Sequence, residues 1–225
     1  MGRLFLYVLY PVITFFNLRT MNISHANWPK YLYSEFGKNK TVLEIGSRNV
    51  TGFDHRAGFA GSAYTGLDIH AGKNVDVVGD AHRLTSYFPE NVFDLVFSAA
   101  TFEHLAMPWV VASEINKVLK PGGVVFVETH FAYGLHSLPW HFFHFTDTGL
   151  KTLFAAVGFE CIEAAMSNPV EGKFASGADE YLRGEKITGM FCHSAYLGRK
   201  IAHVGDVAWN EVEIEKITDN TTYPV

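Results

Sequence analysis

Cysteine is almost missing from this chain, and that scarcity narrows its construction first. Cys161 and Cys192 are the only two in 225 residues, so no framework of disulfides holds it, and the composition suits a reducing cytoplasm. None is needed, because a chain of this length buries roughly 70% of its unfolded surface around one core. Basic residues are sparse as well. Eighteen Lys and Arg stand against 23 Asp and Glu, for a formal charge of -5. No basic cluster supplies the electrostatic footprint that nucleic acid requires, so no nucleic-acid partner is expected. Nor is there a run of about 20 apolar residues to span a bilayer. The longest such stretch, Leu4 to Phe16, is shorter than that. It has no small-residue cleavage site behind it, and Leu6 stands where a myristoylation signal wants Ser or Thr. What remains for residues 4–16 is a helix packed on the domain, contact with a second copy in a homodimer, or peripheral contact with a membrane. The expected location is cytoplasmic, membrane-associated in the last case.

Aromatic residues are abundant: they make up 15% of the chain, with 19 Phe, and there are 11 His against only 18% charged residues. Some of that apolar surface must face a ligand, a partner or a membrane. Short apolar runs follow one another, each with polar residues at its carboxyl end. Thr41-Val-Leu-Glu-Ile runs into Gly46, and Ser62 to His70 contains Asp68. A third ends at Val78-Gly-Asp-Ala-His82, and a fourth, Phe93 to Ser98, enters Ala99-Ala-Thr-Phe-Glu-His104. Leu119-Lys-Pro-Gly-Gly then turns into a fifth. These read as strands near 41–45, 63–67, 75–78, 93–98 and 123–129, with helices between them and one before them at 24–38. The helix over 109–119 is the clearest, because Val110, Val111, Ile115, Val118 and Leu119 recur at helical spacing. A further helix at 147–157, capped by Thr146 or Asp147 and stopped by Gly158, precedes strands at 159–164 and 193–198. The Asn, Pro, Gly and Ser residues of 166–190 predict a loop with a short helix. Alternating strands and helices imply right-handed crossovers and a parallel sheet covered by helices on both faces. The fold class is therefore α/β, in three parts: N-terminal helices over 1–37, the main domain over 38–200 and a polar extension over 201–225.

Over residues 38 to 165 the order and content of these pieces resemble the class I S-adenosylmethionine-dependent methyltransferases, in particular small bacterial members with a Leu-Glu-His-like motif, here Phe102-Glu-His. The resemblance implies a Rossmann-like sheet of seven strands, mostly parallel, whose seventh strand runs antiparallel. It implies S-adenosylmethionine as the cofactor and a small-molecule, sugar or lipid-like acceptor methylated on oxygen or nitrogen. Glu44 would orient the first loop and bind the amino group of the methionine moiety. Gly46 and Ser47 would lie in that loop, where a glycine lets backbone amides face a ligand. Asp68 would accept both ribose hydroxyls, and Ile69 would pack on the adenine face. Asp80 would face the exocyclic amine of adenine, with the Ala81 backbone against the ring. The backbone at Ala99 and Thr101 would touch the methionine portion. Each has a plainer alternative: Glu44 a turn cap, Asp68 a helix N-cap, Asp80 an exposed loop acid, His104 a structural side chain. In one respect the sequence departs from the family, because Arg48 and Val50 stand where two further glycines are usual and Gly52 comes late. A different loop path is expected.

His130, His136, His141 and His144 lie between Glu128 and Asp147, on the segment leaving the fifth strand. That segment must overhang the same mouth of the sheet. Methyl transfer from a sulfonium is an in-line displacement, so the protein must align donor with nucleophile and take a proton from a hydroxyl or amine. Histidine suits the second task, which makes His130, His141 and His144 candidates, with His130 and His144 preferred. A packed, merely polar aromatic loop is the other reading of the segment. Its spacing matches no metal-binding signature, so no metal is expected. Two other functions share much of this physics. A nucleotide-dependent dehydrogenase would want Gly-x-Gly-x-x-Gly, which is absent. A catalytically silent binding module or partner subunit stays open because of Arg48 and the apolar N-terminus.

Overall fold

The computed structural model describes residues 22–213 and residue 217, so the apolar segment 4–16 and its expected contact lie outside the described residues. Seven strands form one sheet in the order β3-β2-β1-β4-β5-β7-β6. They are β1 Lys38–Ile45, β2 Gly61–Asp68, β3 Val77–Val78, β4 Phe93–Ala99, β5 Leu119–His130, β6 Phe159–Lys173 and β7 Lys186–Lys200. β1 to β5 are mutually parallel, and β7 is antiparallel to both β5 and β6. This is the parallel α/β sheet expected from the alternation of elements, with the Rossmann-like seven strands and antiparallel seventh strand that the resemblance implies.

Side-chain alternation along the strands builds a core on each face of the sheet. Val42, Leu95, Phe97 and Phe126 pack on one side with Phe59 and with Trp28 and Leu32 of helix α1, Trp28–Phe36. Leu43, Ile45, Val96 and Val127 pack on the other. There they meet Val111 and Ile115 of α2, Pro108–Val118, and Leu150 and Phe154 of α3, Asp147–Ala155. Each such fully buried side chain contributes about 1.5–3 kcal/mol from burial. α2 opens on a proline, whose fixed φ and missing N–H suit a first turn. α3 opens on Thr146, whose hydroxyl accepts the Gly149 amide at 2.8 Å, and the chain leaves it through Gly158 at φ +80. Buried polar ties lock the far end: Asn116 donates to the carbonyls of Val157 (2.8 Å) and Ala202 (2.9 Å), and the Lys200 amine to those of Asn116 (2.6 Å) and Leu119 (2.7 Å).

The structure departs from the sequence expectation in its connections. Only residues 174–185 of the expected loop 166–190 are turn and loop, because β6 and β7 continue pairing as a hairpin arm out to Lys173 and Lys186. Main-chain pairing across the hairpin outweighs the local turn preferences of Asn168, Pro169 and Gly172. Pro169 is tolerated because β6 is an edge strand, where a missing N–H costs little. The link from β1 to β2 holds only a single 3-10 turn, Arg56–Phe59, and that from β3 to β4 a 3-10 stretch at Ala81–Ser86. α1 is shorter than the helix expected over 24–38, and β5 starts at Leu119 rather than 123. Among the described residues, no helix is long and apolar enough to cross a membrane.

Candidate active site

Strand register decides which residues share an edge. Ile45 of β1 pairs with Leu67 of β2 and with Ser98 of β4, and Asp68 pairs with Val78 of β3. The residues that follow, Gly46, Asp68, Asp80 and Ala99, therefore emerge together at the carboxyl edge, with Glu44 just inside it. Glu44 is 5% exposed and accepts a short hydrogen bond from the Tyr64 hydroxyl. Burial pushes its carboxyl up to about 7; the Tyr64 hydrogen bond opposes that push, and the negative charges of Asp54 and Asp68 add to it. Gly46 sits at φ +82, and a Cβ there would lie 2.0 Å from Thr101 Oγ1, so only glycine fits where β1 and β4 approach. Its amide and that of Ser47 donate to the Leu67 carbonyl at 2.8 and 3.2 Å. The turn thus uses the glycine for close packing, and those two amides face the backbone of β2 rather than open space.

Arg48 explains the altered loop path. Its side chain lies over Gly72, where a Cβ would come within 2.8 Å of Arg48 Cγ, and its Nε stands 3.6 Å from Asp68 Oδ1. Asp68 also accepts the amides of Arg48 (3.2 Å) and His70 (2.9 Å), which holds the loop against the end of β2. Ile69 beside it is 59% exposed, available to a ligand. Asp80 accepts the His82 amide at 2.9 Å and contacts His82 Nδ1 at 2.7 Å, while His82 Nε2 accepts the Met107 amide at 3.2 Å. The latter bond places the ring proton on Nδ1, so the imidazole donates to Asp80. Burial raises the Asp80 carboxyl, but the His82 hydrogen bonds and the Arg83 charge outweigh it and hold it below its ordinary value. Ala81 is buried in the core, and Thr101 Oγ1 donates to the Ala99 carbonyl at 3.1 Å.

The histidines gather around a second carboxylate. Glu103 is fully buried; its Oε2 accepts the Thr129 hydroxyl at 2.6 Å, and its Oε1 lies 2.7 Å from His130 Nδ1. Burial raises its pKa, yet the His130 and Thr129 contacts prevail and the carboxyl stays below its ordinary range. The carbonyl of Glu103 accepts the amides of Phe142 (2.8 Å) and Phe143 (3.2 Å), and His130's carbonyl that of Phe145 (3.0 Å), which pins the loop over the sheet. His136 stands edge-on to His104, His130 and His141 at 4.9, 5.5 and 4.5 Å between ring centroids, and His144 adjoins His141 at 4.8 Å. On the far side, burial and the neighbouring His25 and His130 hold His193 down at about 4, so it is neutral at pH 7. A cleft of ≈ 500 Å³ opens beside this cluster, lined by Phe131, Ala132, Tyr133, Gly134, His144 and Met190.

Residues 36–127 match the family model of a methyltransferase domain. Over those residues the chain is similar to methyltransferase domains, and its sheet has the fold of class I S-adenosylmethionine-dependent methyltransferases. No curated protein matches the chain by sequence. Solved structures share the fold of the methyltransferase domain at low identity. A 1,6-didemethyltoxoflavin-N1-methyltransferase from Burkholderia thailandensis, bound to 1,6-didemethyltoxoflavin and S-adenosylhomocysteine, superposes with a TM-score of 0.57 at 15% identity, covering 77% of this chain and 76% of that one. A putative methyltransferase from Bacillus halodurans gives 0.57 at 15%, over 77% and 99%. A SAM-dependent methyltransferase from Archaeoglobus fulgidus gives 0.54 at 19%, over 77% and 93%.

Within this fold, Glu44, Gly46, Ser47, Asp68, Ile69, Asp80, Ala81, Ala99 and Thr101 lie along one sheet edge, and His130 at the end of β5 and His144 in the loop that follows belong to the histidine cluster beside it. Sequence reasoning passed over Tyr64, Glu103 as a buried anchor, and His136. Tyr64 leaves a signal only through β2 alternation, which points it to the Glu44 side; Glu103 was visible in Phe102-Glu-His, but its partners Thr129 and His130 were not.

Proposed function

We propose that this protein transfers the methyl group of S-adenosylmethionine to an oxygen or nitrogen of a small-molecule, sugar or lipid-like acceptor. The carrying observation is the convergence of Glu44, Asp68 and Asp80 at the carboxyl ends of three neighbouring strands, with the histidine loop beside them. Glu44, once ionised, takes the ammonium of the methionine moiety. Asp68 accepts the ribose hydroxyls with the lone pairs its two amide bonds leave free, and Arg48 turns aside from it. Ile69 covers the adenine, Asp80 meets its exocyclic amine beside the Ala81 backbone, and Ala99 and Thr101 border the methionine chain. Gly46 and Ser47 shape the turn that lets the ligand approach.

The acceptor enters by the aromatic cleft, where His144 is exposed and takes the proton as the methyl group arrives. His130 is the second candidate, acting through Nε2 while its Nδ1 stands 2.7 Å from Glu103 Oε1. Residues 4–16 hold the enzyme against a membrane surface or a second copy, which vesicle co-sedimentation and light scattering of a chain lacking them distinguish. The function itself is tested by calorimetry with S-adenosylmethionine and with NAD, followed by incubation of cell extract with labelled S-adenosylmethionine. Binding of the first alone and a labelled product are expected. NAD binding alone sinks the transferase reading in favour of a dehydrogenase, and binding of neither in favour of a silent module.

A further inference from the structure

We propose that Glu103, His130 and His136, with His104 as a fourth donor, form a site for one divalent transition-metal ion of the zinc class. Glu103, His130 and His136 each offer one ligand atom, all within 4.8 Å of one another. His104 Nε2 lies 3.9 Å from Glu103 Oε1, outside that set of three, and joins it by turning its ring inward. Ligands bound at about 2.0–2.2 Å need only small side-chain adjustments to close such a set.

Unmet bonding capacity points to a ligand. Glu103 is fully buried and His130 is 8% exposed, yet Glu103 Oε1 and His130 Nδ1 have no properly aligned hydrogen bond although they stand 2.7 Å apart. A carboxylate oxygen and an imidazole nitrogen that crowd one point without a line between them can both serve a third atom placed there. A fully buried carboxylate oxygen without an aligned donor is otherwise expensive.

The surrounding contacts set the lone pairs. His104 Nδ1 donates to the Trp140 carbonyl at 2.7 Å and His136 Nδ1 to the Gly134 carbonyl at 3.0 Å, which leaves each Nε2 free to ligate. Backbone carbonyls that fix the tautomer of a ligating histidine are a usual outer shell. Thr129 does the same for the carboxylate by holding its other oxygen. His141 is turned the other way: its Nδ1 accepts the His136 amide at 3.3 Å, so its Nε2 carries the proton and it stays outside the ligand set. One carboxylate with two or three imidazoles suits zinc, manganese or iron over magnesium or calcium, which prefer all-oxygen shells. The expectation of no metal, drawn from spacing, gives way because the donors come from two distant segments, 103–104 and 130–136, that only the fold assembles.

The ion's place beside the histidine loop deepens, and rests on, the methyltransferase reading: it would bind an acceptor oxygen and lower the pKa of its hydroxyl. With His130 a ligand, His144 is left as the proton acceptor.

The test uses full-length protein stripped with chelator, then titrated separately with zinc and manganese chlorides by calorimetry and with cobalt chloride by visible absorption. One ion per chain is expected, with a tetrahedral or five-coordinate cobalt band. His136→Ala and His104→Ala, both changes near the surface, should weaken binding at least tenfold, Glu103→Gln more so, and His203→Ala not at all. Absence of binding below about 100 µM, or equal affinity in the His104→Ala/His136→Ala double variant, overturns the site. S-adenosylmethionine is titrated into the stripped protein in parallel. Metal binding without cofactor binding keeps the site and removes its role in methyl transfer, so the two failures are told apart.

Discussion

Replacing Glu44 with glutamine should make the protein more stable and a poorer binder of S-adenosylmethionine together. Glu44 is almost fully buried, and its carboxyl moves from an ordinary 4.5 to about 7, chiefly through burial. A carboxyl whose folded pKa lies above its unfolded value holds its proton more tightly in the folded state. Its contribution to stability is complete below about pH 4.5 and is lost as the pH climbs to about 7. That gap, at 1.36 kcal/mol for each pH unit, amounts to about 3 kcal/mol. Glutamine removes the charge while keeping the shape and an oxygen for the Tyr64 hydroxyl, so a gain of about 1–3 kcal/mol is expected at pH 8. In a domain of this size that is a Tm rise of several degrees, shrinking toward zero at pH 4.5. The same variant loses the carboxylate proposed above to pair with the ammonium of S-adenosylmethionine, which should weaken binding by roughly 10- to 100-fold at pH 8. Wild-type affinity should rise from pH 6 to 8, and the variant's should stay flat. Thermal melts at several pH values and calorimetric titration read both effects. A variant that melts no higher than wild type at pH 8, or whose difference in Tm does not change with pH, would refute the claim that a buried charge strains the end of β1.

Asp68→Ala should cost cofactor binding about 1.5–3 kcal/mol by removing a charged acceptor, and unchanged affinity in a titration would dismiss its assignment to the ribose. His144→Ala should slow turnover at least tenfold while sparing cofactor affinity; full activity in steady-state kinetics would move the proton acceptor elsewhere. Asn116→Ala should destabilise the fold by about 1–3 kcal/mol, since it strands the buried carbonyl of Val157 and removes the partner of the Ala202 carbonyl and the Val204 amide, and denaturant unfolding with an unaltered midpoint would contradict this.

Elements that carry their own pattern could be read from the sequence. α2 announced itself by Val111, Ile115 and Val118 at helical spacing, and α3 by the Thr146 cap and the Gly158 stop. Each parallel strand was short, apolar and closed by a polar residue, and the edge holding Glu44, Asp68 and Asp80 follows from that pattern alone. The outer half of the β6–β7 arm was hidden, because Ser167, Asn168, Pro169 and Gly172 favour turns locally and only the partner strand overrules them. The histidine cluster was half visible. Its members could be counted, but Glu103 and His104 precede α2 while His130 follows it, so their meeting depends on β4 and β5 lying side by side. The orientation of Arg48 across Gly72 to Asp68 was beyond reach for the same reason: the contact joins two loops that no local rule connects.

Placing the last strand in the interior of the sheet has a price in time. β7 is hydrogen-bonded on one side to β5 and on the other to β6, so a nascent chain that has made everything through residue 173 still carries a raw edge along β5, next to His130. Among the described residues, only β7, from Lys186 on, pairs along that edge. Translation must therefore reach about residue 200 before the histidine side of the molecule is enclosed. A pause or early stop in that window would release a protein whose edge at Glu44, Asp68 and Asp80 is built while its histidine side gapes, ready to pair with the exposed strand of another chain.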